Sequence, residues 1–178
     1  SRGKLQADDV IVATNGYTYR FLTRYSAAGE FAWSAHLAPA NVDNTYRGEI
    51  RAWVMAVDCA GNVVVGGSFT GQLVIQGKSL TAAPGRTIAG DDIPINTDDI
   101  FLVKFGPDGL RRWARRFGDD REQRIHGVAI QADGTIIVGG ASNGTLELDG
   151  SSDAPLNGAL TKGDKYVGLL AAFDPDGR

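Results

Sequence analysis

Cysteine is nearly missing from this chain. Cys59 stands alone, which excludes an intrachain disulfide and any cysteine-rich zinc site. Histidine is almost as scarce: His36 and His126 are too few for a multi-histidine metal site, and nothing places either beside a serine and a carboxylate. Long apolar runs are lacking too. The longest uncharged apolar stretch, Val167 to Phe173, falls far short of the roughly 20 residues that a membrane helix needs, so no membrane span is expected. No basic N-terminal region precedes an apolar core, so a secretion signal is expected to be absent or already removed. Positive charge is not in excess. A net charge of −3 is the wrong balance for a nucleic-acid binder, and no nucleic-acid partner is expected.

What the 178 residues do have is glycine, 24 of them, with short apolar runs such as Val63-Val64-Val65 and Ile136-Ile137-Val138 bounded by Gly, Asp and Asn. That punctuation reads as all-β. Internal repetition then decides the architecture. Tyr19 to Trp33 lies over Asp99 to Trp113 at a constant offset of 80, with Phe, Leu, Gly and Trp coinciding. Asp164 to Arg178 is a third, partial copy, in which Leu170, Phe173, Pro175, Asp176 and Gly177 match Leu102, Phe105, Pro107, Asp108 and Gly109. A second unit, Ala56 to Gly77, lies over Ala129 to Gly150 at an offset of 73, with Leu5 to Val12 as its degenerate first copy.

Together the two units predict four strands per repeat, A to D. Strand A ends near Leu5, Val57 and Ile130; B covers Val10–Thr14, Val63–Ser68 and Ile136–Ser142. Strand C covers about Arg20–Tyr25, Ile100–Phe105 and Val167–Phe173, and D about Phe31–Leu37 and Arg111–Phe117, with no third D strand. The Ala-Gly-Asn, Ala-Asp-Gly and Pro-Asp-Gly turns supply the positive φ and preset bends of tight antiparallel hairpins. A repeated four-stranded antiparallel meander is the blade of a β-propeller. The expected fold is therefore all-β, with about three β-propeller blades belonging to a larger closed propeller: blade 1 about 1–38, blade 2 about 50–118, blade 3 about 124–178 without its D strand. Trp33, Trp113, Phe105 and Phe117 are expected to fill the space between blades, and the alternative is a β-sandwich.

The segment DDIFLVKFGPDGLRRWARRFG, followed by VAIQADGTIIVGGASNGTLELDG, resembles the bacterial seven-bladed β-propeller repeat (SBBP) family over nearly the whole chain. The Asp-x-Phe-x-x-Lys-Phe start, the Gly to Trp spacing and the double glycine after strand B carry the resemblance. Tyr19-Arg20 at the head of the first C strand and Ala172 in place of the third lysine depart from it. The resemblance implies a bacterial surface or secreted binding scaffold and no particular catalytic residue.

Propellers have four to eight blades, so about three repeats require further blades from the same or another chain, either as a longer protein or by self-association. The connections between B and C vary most, from Asn15–Thr18 in the first repeat to Phe69–Asp98 and Asn143–Asp164 in the others. Alternating Leu73/Ile75 and Leu146/Leu148 predict that part of each insert is an extra hairpin packed on the blade. Binding concentrates on such loops over a rigid scaffold, which makes Thr81, Arg86, Asp91, Asp92 and Asn96 candidate ligand contacts for a protein or a glycan. Asp91, Asp92, Asp98 and Asp99 bracket one insert. Clustered oxygen ligands are what calcium requires, but their spacing matches no calcium loop and solvated turn carboxylates are the plainer reading, so no cofactor is expected.

Gly77-Lys78-Ser79 mimics the end of a phosphate loop, but Gly71 is one residue too far upstream and no helix follows. His126 aligns with Trp53, which suggests ordinary packing. Arg111, Arg112, Arg115 and Arg116 flank Trp113 on the outermost strand, where charge discourages edge pairing. The expected function is a non-enzymatic scaffold binding a protein or glycan through one face. The alternatives are a propeller hydrolase or lyase whose site is completed by other blades, and a structural assembly module.

Overall fold

The computed structural model describes residues 6–7, 10–11, 20–40, 48–85, 97–144 and 166–178. Thirteen strands run along them: β1 (Gln6–Ala7), β2 (Val10–Ile11), β3 (Arg20–Tyr25), β4 (Phe31–Ala40), β5 (Ile50–Val57), β6 (Val63–Phe69), β7 (Gln72–Ile75), β8 (Lys78–Thr81), β9 (Asp99–Phe105), β10 (Arg111–Phe117), β11 (Gln123–Ile130), β12 (Ile136–Ser142) and β13 (Val167–Phe173). The chain is all-β and every pairing is antiparallel. No described helix is long and apolar enough to cross a membrane.

The expected strand order is met in full in the middle repeat, whose sheet runs β5-β6-β9-β10. The third repeat forms β11-β12-β13. In the first repeat β2 pairs with β1, as an A-to-B hairpin should, and residues 12–19, which lead on to β3, lie outside the described residues. The insert after β6 does make the expected hairpin, β7-β8, but this hairpin pairs with β4 of the preceding repeat, giving a sheet of order β3-β4-β7-β8. An apolar reason is visible: Leu73, Ile75 and Leu80 are buried with Ala35 and Leu37 in one cluster, so the hairpin extends the covered surface of that sheet. The described sheets do not close into a ring.

The three larger sheets stack face to face, and two apolar clusters fill the gaps. The first holds Leu37, Val63, Val65, Phe69, Phe101, Val103 and Phe105, with Leu22 and Trp33 against it. The second holds Val64, Ile100, Leu102, Phe117, Ile125, Ile136, Val138 and Phe173, with Trp113 against it. Alternate side chains of a strand point to opposite faces. In the middle sheet both faces are covered, so β6 and β9 are buried at every position. Phe105 and Phe117 lie between sheets as expected, while the two tryptophans sit at the margins.

Those tryptophans latch successive sheets together. The Trp33 indole N–H donates to the carbonyl of Pro107 at 2.9 Å, and its counterpart Trp113 donates to that of Pro175 at 3.0 Å. A cation joins each: Arg24 donates to Pro107 O at 3.0 Å and Lys104 Nζ to Pro175 O at 3.0 Å. Gly109 and Gly177, both at φ 78°, underlie the rings. A Cβ on Gly109 would stand 2.6 Å from the Trp33 ring, so the Pro-Asp-Gly turn needs glycine for its backbone and for the indole.

The double glycine of strand B has a different cause. The A strands β5 and β11 each carry one extra residue, Trp53 and His126, where the register jumps between Ala52 and Val54 and between Ile125 and Gly127. Such a bulge pushes backbone toward the partner strand. A Cβ on Gly140 would lie 2.2 Å from the carbonyl oxygen of Arg124, which is backbone and cannot swing away, whereas one on Gly139 would meet nothing within 4 Å. Gly140→Ala is therefore expected to destabilise by about 1–3 kcal/mol. Gly139→Ala should be neutral or slightly stabilising, through the restricted unfolded chain. Urea-unfolding midpoints of the pair check this, and equal midpoints would remove the bulge as the explanation.

Candidate functional site

The two bulged A strands, β5 and β11, face each other across a cleft of about 460 Å³ lined by Arg51, Val54, Ser68, Asp98, Arg124, Ile125 and His126. That volume lies within the range of small-ligand sites. Its two arginines are repeat equivalents, each two residues after a glutamate: Glu49-x-Arg51 opens β5, and Glu122-x-Arg124 opens β11, at the same offset of 73. Both glutamates are held in the same way. Glu49 N–H donates to Thr70 Oγ1 at 3.0 Å while Thr70 N–H donates to Glu49 O. Glu122 N–H donates to Asn143 Oδ1 at 2.8 Å while Asn143 N–H returns a bond to Glu122 O. The residue after each B strand thus clamps the start of each A strand.

The arginines differ in what they meet. Arg51 bridges two carboxylates, Glu49 at 2.7 Å and Asp98 at 2.6 Å. Arg124 pairs with Glu122 and lies over the ring of Tyr166, 5.6 Å from its centroid, and the Tyr166 hydroxyl donates to the other oxygen of Glu122. Burial pushes the Asp98 carboxyl above its ordinary range, with Arg51 working against it. Burial acts on Glu122 in the same sense, but the hydrogen bonds from Tyr166 and Arg124 outweigh it and hold that carboxyl below its ordinary range. The backbone fastens the arrangement, since Gln123 N–H donates to Asp98 O at 2.8 Å across the two sheets.

Chemically the cleft offers fixed acceptors and donors in alternation, over an apolar wall of Val54 and Ile125. Its two guanidinium groups are balanced by Asp98 in the lining and by their partners Glu49 and Glu122, so the site is near neutrality, which suits hydroxyl-rich ligands better than a strongly charged one. His126 is exposed and lines the cleft instead of packing in the core, because the bulge turns it out of the alternation.

The insert residues read from the sequence lie elsewhere. Thr81 ends β8 on the outer edge of the first sheet, opposite Gln72, and does not line the cleft. Arg86, Asp91, Asp92 and Asn96 lie outside the described residues. Asp98 and Asp99 turn to different partners. Asp98 enters the cleft, whereas Asp99 is fully buried, accepting from Arg116 at 2.5 Å and from Ala83 N–H at 2.8 Å. Among the described residues no three His, Cys, Asp or Glu side chains are grouped to hold a metal ion. Arg51, Ser68, Arg124 and Tyr166 were missed by sequence reasoning. The signal for the first and third was present, because extending the 73-residue frame upstream aligns the two Glu-x-Arg triplets.

Neither a protein family nor a curated protein is found to match this chain.

Proposed function

We propose that this chain is a propeller-type repeat scaffold without catalytic machinery, and that it binds a glycan in the cleft between β5 and β11. The propeller reading is supported by the strand order of the middle sheet, the face-to-face stacking of repeat-equivalent sheets and the duplicated tryptophan latch. The innermost strand of each blade is then the A strand, which puts the cleft toward the propeller axis. The resemblance noted above makes the bacterial surface or exterior the expected setting.

One observation carries the glycan reading: the duplicated Glu-x-Arg pair, whose carboxylates and guanidinium groups are fixed by each other and still partly open to solvent. Sugar hydroxyls donate and accept at once, so a site of paired charges satisfies both roles. The half-exposed ring of Tyr166 and the Val54/Ile125 wall suit the apolar face of a pyranose.

The test is titration of the chain with a panel of neutral and acidic oligosaccharides, followed by amide chemical shifts. A neutral oligosaccharide is expected to move the amides of β5 and β11. Arg124→Ala should weaken its binding roughly tenfold, the worth of one hydrogen bond to a charged group. Because the Arg124 pair is exposed, the unfolding midpoint should barely change. Binding that ignores both Arg51→Ala and Arg124→Ala, or no binding across the panel, removes the proposal.

A further inference from the structure

Each arginine of the cleft already has a carboxylate of its own. Arg51 pairs with Glu49 and Arg124 with Glu122, in each case two residues upstream. Asp98 is therefore the surplus: with it, two guanidinium groups face three carboxylates, an excess of one negative charge. The third repeat has no such surplus. Asp99 lies opposite Phe69 and Val167 opposite Ser142, which are equivalent places at the offset of 73, so the residue before strand C is Asp98 in one sheet and the uncharged Tyr166 in the other.

Asp98 is also incompletely bonded. Its side chain is only 9% exposed. Arg51 Nη1 donates to Oδ2 at 2.6 Å, and the Ser68 hydroxyl donates to the same oxygen at 3.4 Å. Oδ1 accepts no hydrogen bond among the described residues, and unlike Oδ1 of Asp99 it is not sealed from solvent, because Asp98 lines the cleft. Taking a carboxylate out of water is costly unless charge and hydrogen bonds replace the water. Here burial outweighs Arg51 and holds the carboxyl above its ordinary range. The Asp98 backbone is meanwhile tied to the far wall, where its carbonyl accepts from Gln123 N–H at 2.8 Å.

A ligand hydroxyl would give Oδ1 a hydrogen bond but no charge. A primary ammonium gives both, and a hydrogen bond between ionised groups is roughly twice as strong as one between neutral groups. It also cancels the excess charge of the cleft. We propose that the cleft selects an amino sugar, whose ammonium group sits on Oδ1 of Asp98. The proposal rests on the glycan reading above and narrows it to a class.

The test compares two β-1,4-linked tetramers by calorimetry at mildly acidic pH, where the amines are charged. One is of glucosamine and one of glucose, so they differ in an amine or a hydroxyl at the same carbon. The glucosamine tetramer should bind roughly tenfold more tightly. Asp98→Asn should bring the two affinities together. Asp133→Asn, the same loss of charge in the exposed turn between β11 and β12, should leave the preference intact. Arg51 keeps Glu49 in the first variant, so no unpaired guanidinium is left behind and the fold should survive. A second readout needs no variant: in the parent chain the carboxyl carbon resonance of Asp98 should move further with the glucosamine tetramer than with the glucose one. Equal affinities for the two tetramers overturn the proposal and leave the glycan reading standing. If neither binds, the proposal falls, and the wider panel decides that reading. A preference that survives Asp98→Asn also overturns it, because the ammonium would then sit elsewhere. So does a short lysine peptide that binds as tightly as the glucosamine tetramer, the mark of a cleft that reads a cation and not a sugar.

Discussion

Phe105→Ala is expected to lower the stability of the fold by about 3–5 kcal/mol, whereas Tyr25→Ala, at the equivalent place in the first repeat, should change it by no more than about 0.5 kcal/mol. The two positions share a strand, a face and an offset of 80 residues. They differ in cover. Phe105 is 0% exposed, with Trp33 against it at a centroid distance of 6.3 Å, so truncation both forfeits its transfer energy and opens a cavity between two sheets. Tyr25 is 60% exposed and leaves no cavity. Urea unfolding of the two variants measures the difference. Equal losses would mean that Tyr25 is covered after all.

The second large effect is expected at Arg116, the arginine of the flanking four that meets a fully buried carboxylate. It pairs with Asp99, whose carboxyl is fully buried and has one oxygen, Oδ1, with no hydrogen bond. Burial dominates that carboxyl and pushes its pKa up to about 6, against the hydrogen bonds from Ala83 N–H and Arg116. A raised folded pKa means that the folded state holds the proton more tightly than the unfolded chain. Its contribution to stability is thus complete below the ordinary carboxylate pKa near 4 and is lost as pH rises through about 6. At neutral pH Asp99 is a buried anion kept in place by Arg116. Arg116→Ala should then destabilise by about 3–5 kcal/mol at pH 7. Near pH 5 the loss should shrink, because Asp99 can take up a proton instead. Unfolding curves of parent and variant at the two pH values decide it. A loss that does not vary with pH would mean that Asp99 is not the group left uncompensated.

Most strands were legible in the residues because each rests on local signals. Val63 to Phe69 and Ile136 to Ser142 are β-branched runs ended by glycine, and their turns carry the glycines whose φ lies near 80°. In the first repeat the described parts of strands A and B, β1 and β2, pair with each other as the repeat predicts. The inserted hairpin was legible as a hairpin but not in its destination, since Leu73 and Ile75 announce an apolar face without saying whose. The sheet that needed cover was the one before, where β4 offered an open edge.

The cleft was illegible for a related reason. Charged residues in a strand read as solvated surface until two strands from different sheets bring them together. Arg51 and Asp98 are 47 residues apart and 2.6 Å apart, and neither number follows from the other. The bulges that turn His126 outward leave no mark in the hydrophobic alternation except the glycines opposite them, whose purpose shows only in the distance from Gly140 to the Arg124 carbonyl.

The residues alone determined the strands, the tight turns and the equivalence of the repeats, because alternation, glycine and constant spacing act over a few neighbours at a time. Tertiary structure decided which sheet the hairpin joined, which arginine met the buried Asp99 and where the charged pairs met. Those outcomes depend on what lies across a gap between sheets, and the far side of that gap is set by chain distant in sequence.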